Sequence, residues 1–383
     1  MDSNQRAGSQ NGNSASIRDR MKRRYRLVKF LLSSAGRSAW RSLKNCVKVL
    51  IGRKPYFDER GLFLRQCVLH LTGLRPIRKI TCTGHIGEGA GSQALMVMNA
   101  INFAHSFGLT YLHAPFTHVS HVDRPMQEWV TAWEALFNLG AGEAVCGMER
   151  RDAVNFSHNY LELDLIFGWC SRNDELADRF KALLPEFKRK YYLNKSPRLT
   201  DEVTVAVHIR RGDALPDNPD YFTSNESILR TITEVKSVLE THKVEYKIRA
   251  YSQGDVADFA EFSRLGVELF LDADAVWTLQ ELIEADVLIV AKGCFSYYAA
   301  LISDGIRILE PIPLTGNDYL SSWKWRSVPL TDSWIPCLAD GSFDSPAFER
   351  QLSLAIEAKS VAAAKASSGS PESSSNQESS FLK

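Results

Sequence analysis

Apolar positions along the middle of this chain alternate between two periods, and that alternation predicts its elements. From residue 77, IRKITCTG reads as a strand and the glycine-bearing segment after it as a turn. Residues 92–107 read as a helix, with apolar side chains at helical spacing. Gly108 stands where helices ordinarily end in glycine, and LTYLHAPF supplies the next strand, completing a βαβ unit. A second series follows: VTVAVHI (203–209), YKIRAYS (246–252), VELFL (267–271), DVLIVA (286–291) and IRILEP (306–311) as strands, with helices over 227–241, 256–265, 277–285 and 296–303. Short β-rich runs separated by helices predict parallel sheets covered by helices.

The charged, proline-containing stretch 185–202 is the expected boundary, leaving domains at 75–195 and 200–350. From 360 to 383 the chain is rich in Ser, Ala, Gly and Pro and buries too little apolar area to offset its ordering entropy, so a disordered tail is expected. No internal repeat is visible, which removes solenoids and propellers. A length of 383 residues agrees with two domains, and 44% hydrophobic with 24% charged residues excludes wholesale disorder, collagen and a many-span membrane protein. The seven cysteines are scattered without a CxxC pair and are expected as reduced core thiols.

Charge changes the picture at the N-terminus. Residues 1–54 carry 14 Lys and Arg against Asp2 and Asp19, a net +12; the rest carry 32 against 43, a net −11. Such a leader fits a transit segment, a nucleic-acid arm, a patch on anionic lipid or a solvated tail. No run approaches the ~18 apolar residues of a membrane span, and the first residues lack the apolar region of a signal peptide. The expected location is the cytoplasm, peripheral at a membrane through the basic and apolar residues of 18–51, with a transit leader left open and no nucleic-acid partner.

Three segments carry candidate chemistry. HIRRGD, His208 to Asp213, ends the most apolar strand, and in an open parallel sheet that end faces the ligand crevice. Two adjacent guanidiniums suit phosphate oxygens, although Asp213 neutralising Arg211 is the structural alternative. In 286–305 a buried strand, the Lys292-Gly293 turn and a helix near Ser296 make an anion site from free N–H groups, with Ser296 as phosphate donor, as plain N-cap, or as both. GHIGEGAGSQ, with Gly84, Gly87, Gly89 and Gly91, lets backbone approach a ligand or the other domain. Its spacing is not that of a dinucleotide fingerprint, and no Gly-Lys-Ser/Thr phosphate loop is present.

The strand-end HIRRGD, the GSQ that closes the first turn, YSQGD after the 246–252 strand and CFSYYAAL together resemble motifs of the α1,2- and α1,6-fucosyltransferases, over residues 78–312. The resemblance implies an α/β protein of GT-B type: two facing Rossmann-like domains with parallel sheets, GDP-fucose held by the second, a saccharide acceptor, no cofactor, no metal, and transfer with inversion. It implies that Arg210 holds the diphosphate, that His208 faces guanine or ribose, that Arg211 and Asp213 brace the site, and that Ser252 and Ser296 bind the donor. Gly87 and Gly89 then line the cleft. The chain departs from the pattern at Gln253, at Tyr297 and Tyr298 where the family has paired Trp, and in lacking a Glu after HIRRGD, with Asp217 and Asp220 nearby instead.

Other patterns compete. Asp272-x-Asp274 after an apolar strand is the pattern by which metal-dependent glycosyltransferases bind Mn²⁺ or Mg²⁺, and Asp274 equally suits a helix N-cap. His113, His118, His121 and Asp123 are a candidate metal cluster, and His118 or His121 a candidate general base. Trp129, Trp133 and Phe137 share one helix face, as core or as a sugar platform. A non-catalytic, transferase-like protein docked by its leader is the third functional class.

Overall fold

The computed structural model describes residues 59–85, 87–147, 153–168, 173–196, 198, 202–218, 221–309 and 334–368. The leader at 1–54, Asp220, the 310–311 end of the last predicted strand and 369–383 lie outside them.

The first domain contains α1 (Glu59–Leu71), β1 (Lys79–Cys82), α2 (Ala90–Phe107), β2 (Thr110–His113), α3 (Met126–Phe137), β3 (Ala144–Val145), β4 (Val154–Asn155), α4 (Phe156–Phe167) and α5 (Asn173–Tyr192). Its four strands are parallel in the order β3-β2-β1-β4. The second domain contains β5 (Val203–His208), α6 (Asn225–Thr241), β6 (Tyr246–Ser252), a 3₁₀ turn at Val256–Phe259 leading into α7 (Ala260–Arg264), β7 (Glu268–Leu271), α8 (Ala275–Glu284), β8 (Val287–Val290), α9 (Cys294–Ile302), β9 (Ile306–Leu309), β10 (Trp334–Pro336) and α10 (Ser345–Ser368). Its six parallel strands run β10-β9-β8-β5-β6-β7, so the chain is laid down one way from the centre and then the other. That is the Rossmann strand order, whose reversal point opens a crevice at the carboxyl ends of the strands. Both sheets turn those ends toward a common cleft, the expected GT-B arrangement.

The predicted boundary at 185–202 is narrower in the structure. Helix α5 continues through Pro185 to Tyr192, because Phe187, Lys190 and Tyr191 on its second half are buried against the first domain. Pro185 costs that helix a hydrogen bond, and the packing offsets it. The first domain also begins at Glu59, with Phe63 and Cys67 in its core. At the far end α10 runs to Ser368, nine residues past Lys359, since SVAAAKASS is a strong helix-forming run.

One hydrophobic core runs through both domains. It joins α2, α3 and α5 of the first to α8 and α9 of the second, and a second core lies under the opposite face of the larger sheet. Trp129, Trp133 and Phe137 are each 1% exposed and belong to the shared core; Trp133 meets Phe295 and Phe137 meets Tyr298 across the junction. Gly91 marks how close the junction is, since a Cβ there would lie 2.6 Å from the Cys294 carbonyl oxygen and from Phe295 Cα. Among the described residues Cys67, Cys82 and Cys337 are buried and Cys146 and Cys294 half-buried, with no disulfide. No helix among them is long and apolar enough to cross a membrane.

Candidate active site

The cleft between the sheets has a volume of about 1290 Å³ and is lined by the loops that follow β1, β2, β4, β5, β6, β7 and β8. The reversal point of the larger sheet lies between β5 and β8, so the residues after these two strands meet there. Arg210 is the pivot. Its Nε and Nη2 donate to the Asp213 carboxylate at 3.0 and 2.7 Å, its Nη1 donates to the Lys292 carbonyl at 2.8 Å, and its guanidinium lies 4.6 Å over the Tyr221 ring. Gly293 leaves it room: a Cβ at that position would sit 2.8 Å from Nη1. The hydrogen bond from Arg210, with its charge, holds the Asp213 carboxyl below the usual range, and His121 adds to this.

Arg211 points elsewhere. It donates to the Arg210 carbonyl at 2.7 Å and to Thr223 O at 3.1 Å and Asn225 Oδ1 at 2.5 Å, and lies 4.4 Å over Phe222. It braces the loop, and the ion pair to Asp213 is made by Arg210 rather than by Arg211. Ser252 lines the cleft, but its hydroxyl donates to Ile209 O at 2.8 Å and so pins the HIRRGD strand end. Ser296 does not reach the cleft. Helix α9 begins at Cys294 with Gly293 as N-cap, which buries Ser296 completely, and its hydroxyl donates to Ala291 O at 3.0 Å. Ser296 is thus neither on the cleft wall nor the N-cap of α9. Gly87 and Gly89 do line the cleft.

His208 lines the cleft beside Phe295, ring centroids 5.3 Å apart, with Nδ1 buried and unpartnered. Burial and then the Arg210 charge push its pKa down to about 4, with Asp213 opposing them. The folded chain therefore holds this imidazole neutral where an unfolded chain, at about 6.5, protonates it. Unfolded molecules bind the extra proton between these values, so stability falls as pH drops from about 6.5 to 4, by about 3 kcal/mol. Urea unfolding of His208→Gln is expected to lack that part of the pH dependence, and an unchanged slope would show that another group causes it.

The first-domain wall carries His85, His121 and His158. His158 Nδ1 pairs with Asn155 Nδ2 at 2.6 Å, and Asn155 is itself held by Ser157 at 2.8 Å and Thr83 at 2.7 Å. The His85 and His158 rings lie 5.3 Å apart. The turn after β1 carries His85; sequence reasoning missed His158 because β4, which delivers it, is two residues long.

The four-residue cluster does not assemble. His113 is buried and bonds Glu134 Oε2 at 3.1 Å, and only His121 and Asp123 of the four line the cleft. Among the described residues no group of three or more His, Cys, Asp and Glu is arranged to hold a metal ion. Asp274 caps α8, accepting from Trp277 N at 2.7 Å, and its other oxygen pairs with Arg124 of the first domain. Asp272 lines the cleft and accepts from Gly254 N at 3.4 Å.

No family model matches the chain, and no curated protein matches its sequence. Among solved structures the fold is similar to that of fucosyltransferase NodZ from Bradyrhizobium, at 13% identity over 59% of this chain and 94% of that one, with a TM-score of 0.34. It is similar to POFUT1 in complex with GDP, at 10% identity over 61% and 98%, TM-score 0.33. It is also similar to the E. coli heptosyltransferase WaaC with ADP, at 13% identity over 74% and 99%, TM-score 0.33. Superpositions at that level assign neither a ligand nor a residue role to this chain.

Proposed function

We propose that this chain is a glycosyltransferase that moves fucose from GDP-fucose to a saccharide acceptor, with inversion and without a metal ion. The observation that carries the proposal is the placement of Arg210 at the reversal point of the larger sheet, its fork held by Asp213 and the Lys292 carbonyl beside the start of α9. First-turn N–H groups of a helix have no intrahelical acceptors and carry the positive end of its dipole. Guanidinium and helix start together suit a diphosphate.

The chemistry follows from where charge develops. As the anomeric carbon–oxygen bond breaks, its electron pair goes to the diphosphate, and a cation already in position stabilises that charge more in the transition state than in the ground state. Arg210 takes the part a divalent ion plays elsewhere, while Asp274 is engaged as a helix cap and in an ion pair. An acceptor oxygen arriving from the opposite wall attacks the face away from the leaving group, and such displacement inverts the anomeric centre. The sugar and the guanine base rest on the motif resemblance of HIRRGD, YSQGD and CFSYYAAL.

Incubation of the full chain with GDP-fucose and a panel of saccharides in EDTA is expected to release GDP and yield a fucosylated product. No release above blank would count against the transferase; release only after Mn²⁺ is added would count against metal independence.

A further inference from the structure

Among the described residues that line the cleft, Trp129, Trp133, Tyr160 and Tyr251 are buried and Phe295 is half-buried, whereas Tyr221 is 39% exposed. Its ring is open to the cleft and yet firmly placed. Tyr221 N and Phe222 N both donate to Asn218 O, at 3.1 and 3.0 Å, and Lys292 Nζ donates to Phe222 O at 3.3 Å. Arg210 lies 4.6 Å over the Tyr221 ring and Arg211 4.4 Å over the Phe222 ring, so the two guanidiniums of HIRRGD fix the two rings of the loop that follows it.

The strand order determines which part of a donor meets this ring. From β5 the larger sheet runs to β6 and β7 on one side and to β8 and β9 on the other. In the Rossmann arrangement the ribose lies by the end of the second strand, which here is β6, and Ser252 and Gln253 line the cleft at that end. The small cavity that Tyr221 shares with Arg210 is lined instead by Ile289, Val290 and Ile308, from β8 and β9. A diphosphate on Arg210 with its nucleoside over β6 therefore turns its glycosyl end toward Tyr221.

Resting on the transferase reading above, we propose that Tyr221 is a specificity-determining residue of the donor site, its ring carrying the methyl group and C–H face of the transferred 6-deoxy sugar. A 6-deoxyhexose has a methyl group where most hexoses have a hydroxymethyl. Methyl and C–H groups lose no hydrogen bond when they leave water for an aromatic face, whereas a hydroxymethyl group pressed there does. The ring is what acts, and the phenol oxygen is dispensable.

Calorimetry of the full chain with GDP-fucose and with GDP is the test, read as the ratio of the two affinities. Tyr221→Ala also loosens Arg210, but that weakens both ligands alike, so the ratio isolates the sugar. The ratio is expected to move against GDP-fucose by about 5-fold in Tyr221→Ala, the effect of burying one ring face, and to stay at the parent value in Tyr221→Phe. The corresponding ratio for GDP-mannose, which has the hydroxymethyl group, is expected to change by less than about twofold in Tyr221→Ala. A shift for GDP-fucose below about threefold in Tyr221→Ala, the same loss in Tyr221→Phe, or an equal loss for GDP-mannose would each overturn the assignment. A parent chain that binds neither GDP nor GDP-fucose would instead overturn the transferase reading, and this proposal with it.

Discussion

Replacing Arg210 by Ala is expected to weaken GDP binding by about 100-fold or more while leaving the circular dichroism spectrum unchanged. Two charge-assisted hydrogen bonds to phosphate oxygens account for a loss of that size, each worth about 1.5–3 kcal/mol. The substitution also strands the Asp213 carboxylate, now without its partner, facing the same phosphates. The double variant Arg210→Ala with Asp213→Ala is therefore expected to bind better than Arg210→Ala alone, a coupling that a double-mutant cycle reads directly. Arg210→Lys keeps the charge but loses the planar fork that bridges Asp213 and the Lys292 carbonyl, so it falls between the two. Unchanged GDP affinity in Arg210→Ala would contradict the site.

Trp133→Ala is expected to lower unfolding free energy by about 4 kcal/mol, a large share of the roughly 5–15 kcal/mol that holds a domain folded. The indole stacks on Phe137 at 5.3 Å and meets Trp129 edge-on at 5.1 Å and Phe295 edge-on at 6.3 Å, so its removal opens a cavity in the core the two domains share. Its Nε1 is buried without a hydrogen-bond partner among the described residues, so no hydrogen bond is lost with the ring. Trp133→Phe keeps most of the packing and removes that unpaired donor, and is expected to cost only about 1–2 kcal/mol. Urea unfolding of both variants checks this, and a loss below about 1.5 kcal/mol for the Ala variant would show that the ring does not join the domains.

The second domain was legible because its signals are local. β5 and β8 are largely buried apolar runs with polar clusters at their ends, β6 alternates apolar with polar residues before its YSQGD end, and strand ends are where a parallel sheet presents its ligand residues. Arg210 and Asp213 could therefore be named from their place in the chain. Ser296 could not, because α9 starts at Cys294 behind a glycine, and a two-residue shift along a helix turns a side chain from cleft to core. The first-domain wall was less legible still. β3 and β4 are too short to show a period, and Gln93, although part of the GSQ that closes the first turn, gives no sign in the sequence that its side chain ties two loops together. The Arg124–Asp274 contact joins residues 150 positions apart, and pairs of that kind come from the fold.

Calorimetric titration of the chain with GDP, UDP and ADP in EDTA tests the central claim most directly, with Arg210→Ala alongside. The account predicts binding of GDP alone, with a dissociation constant of about 10 μM or tighter, and its loss in the variant. Silence toward all three nucleotides, or binding that appears only when Mn²⁺ replaces EDTA, would contradict it.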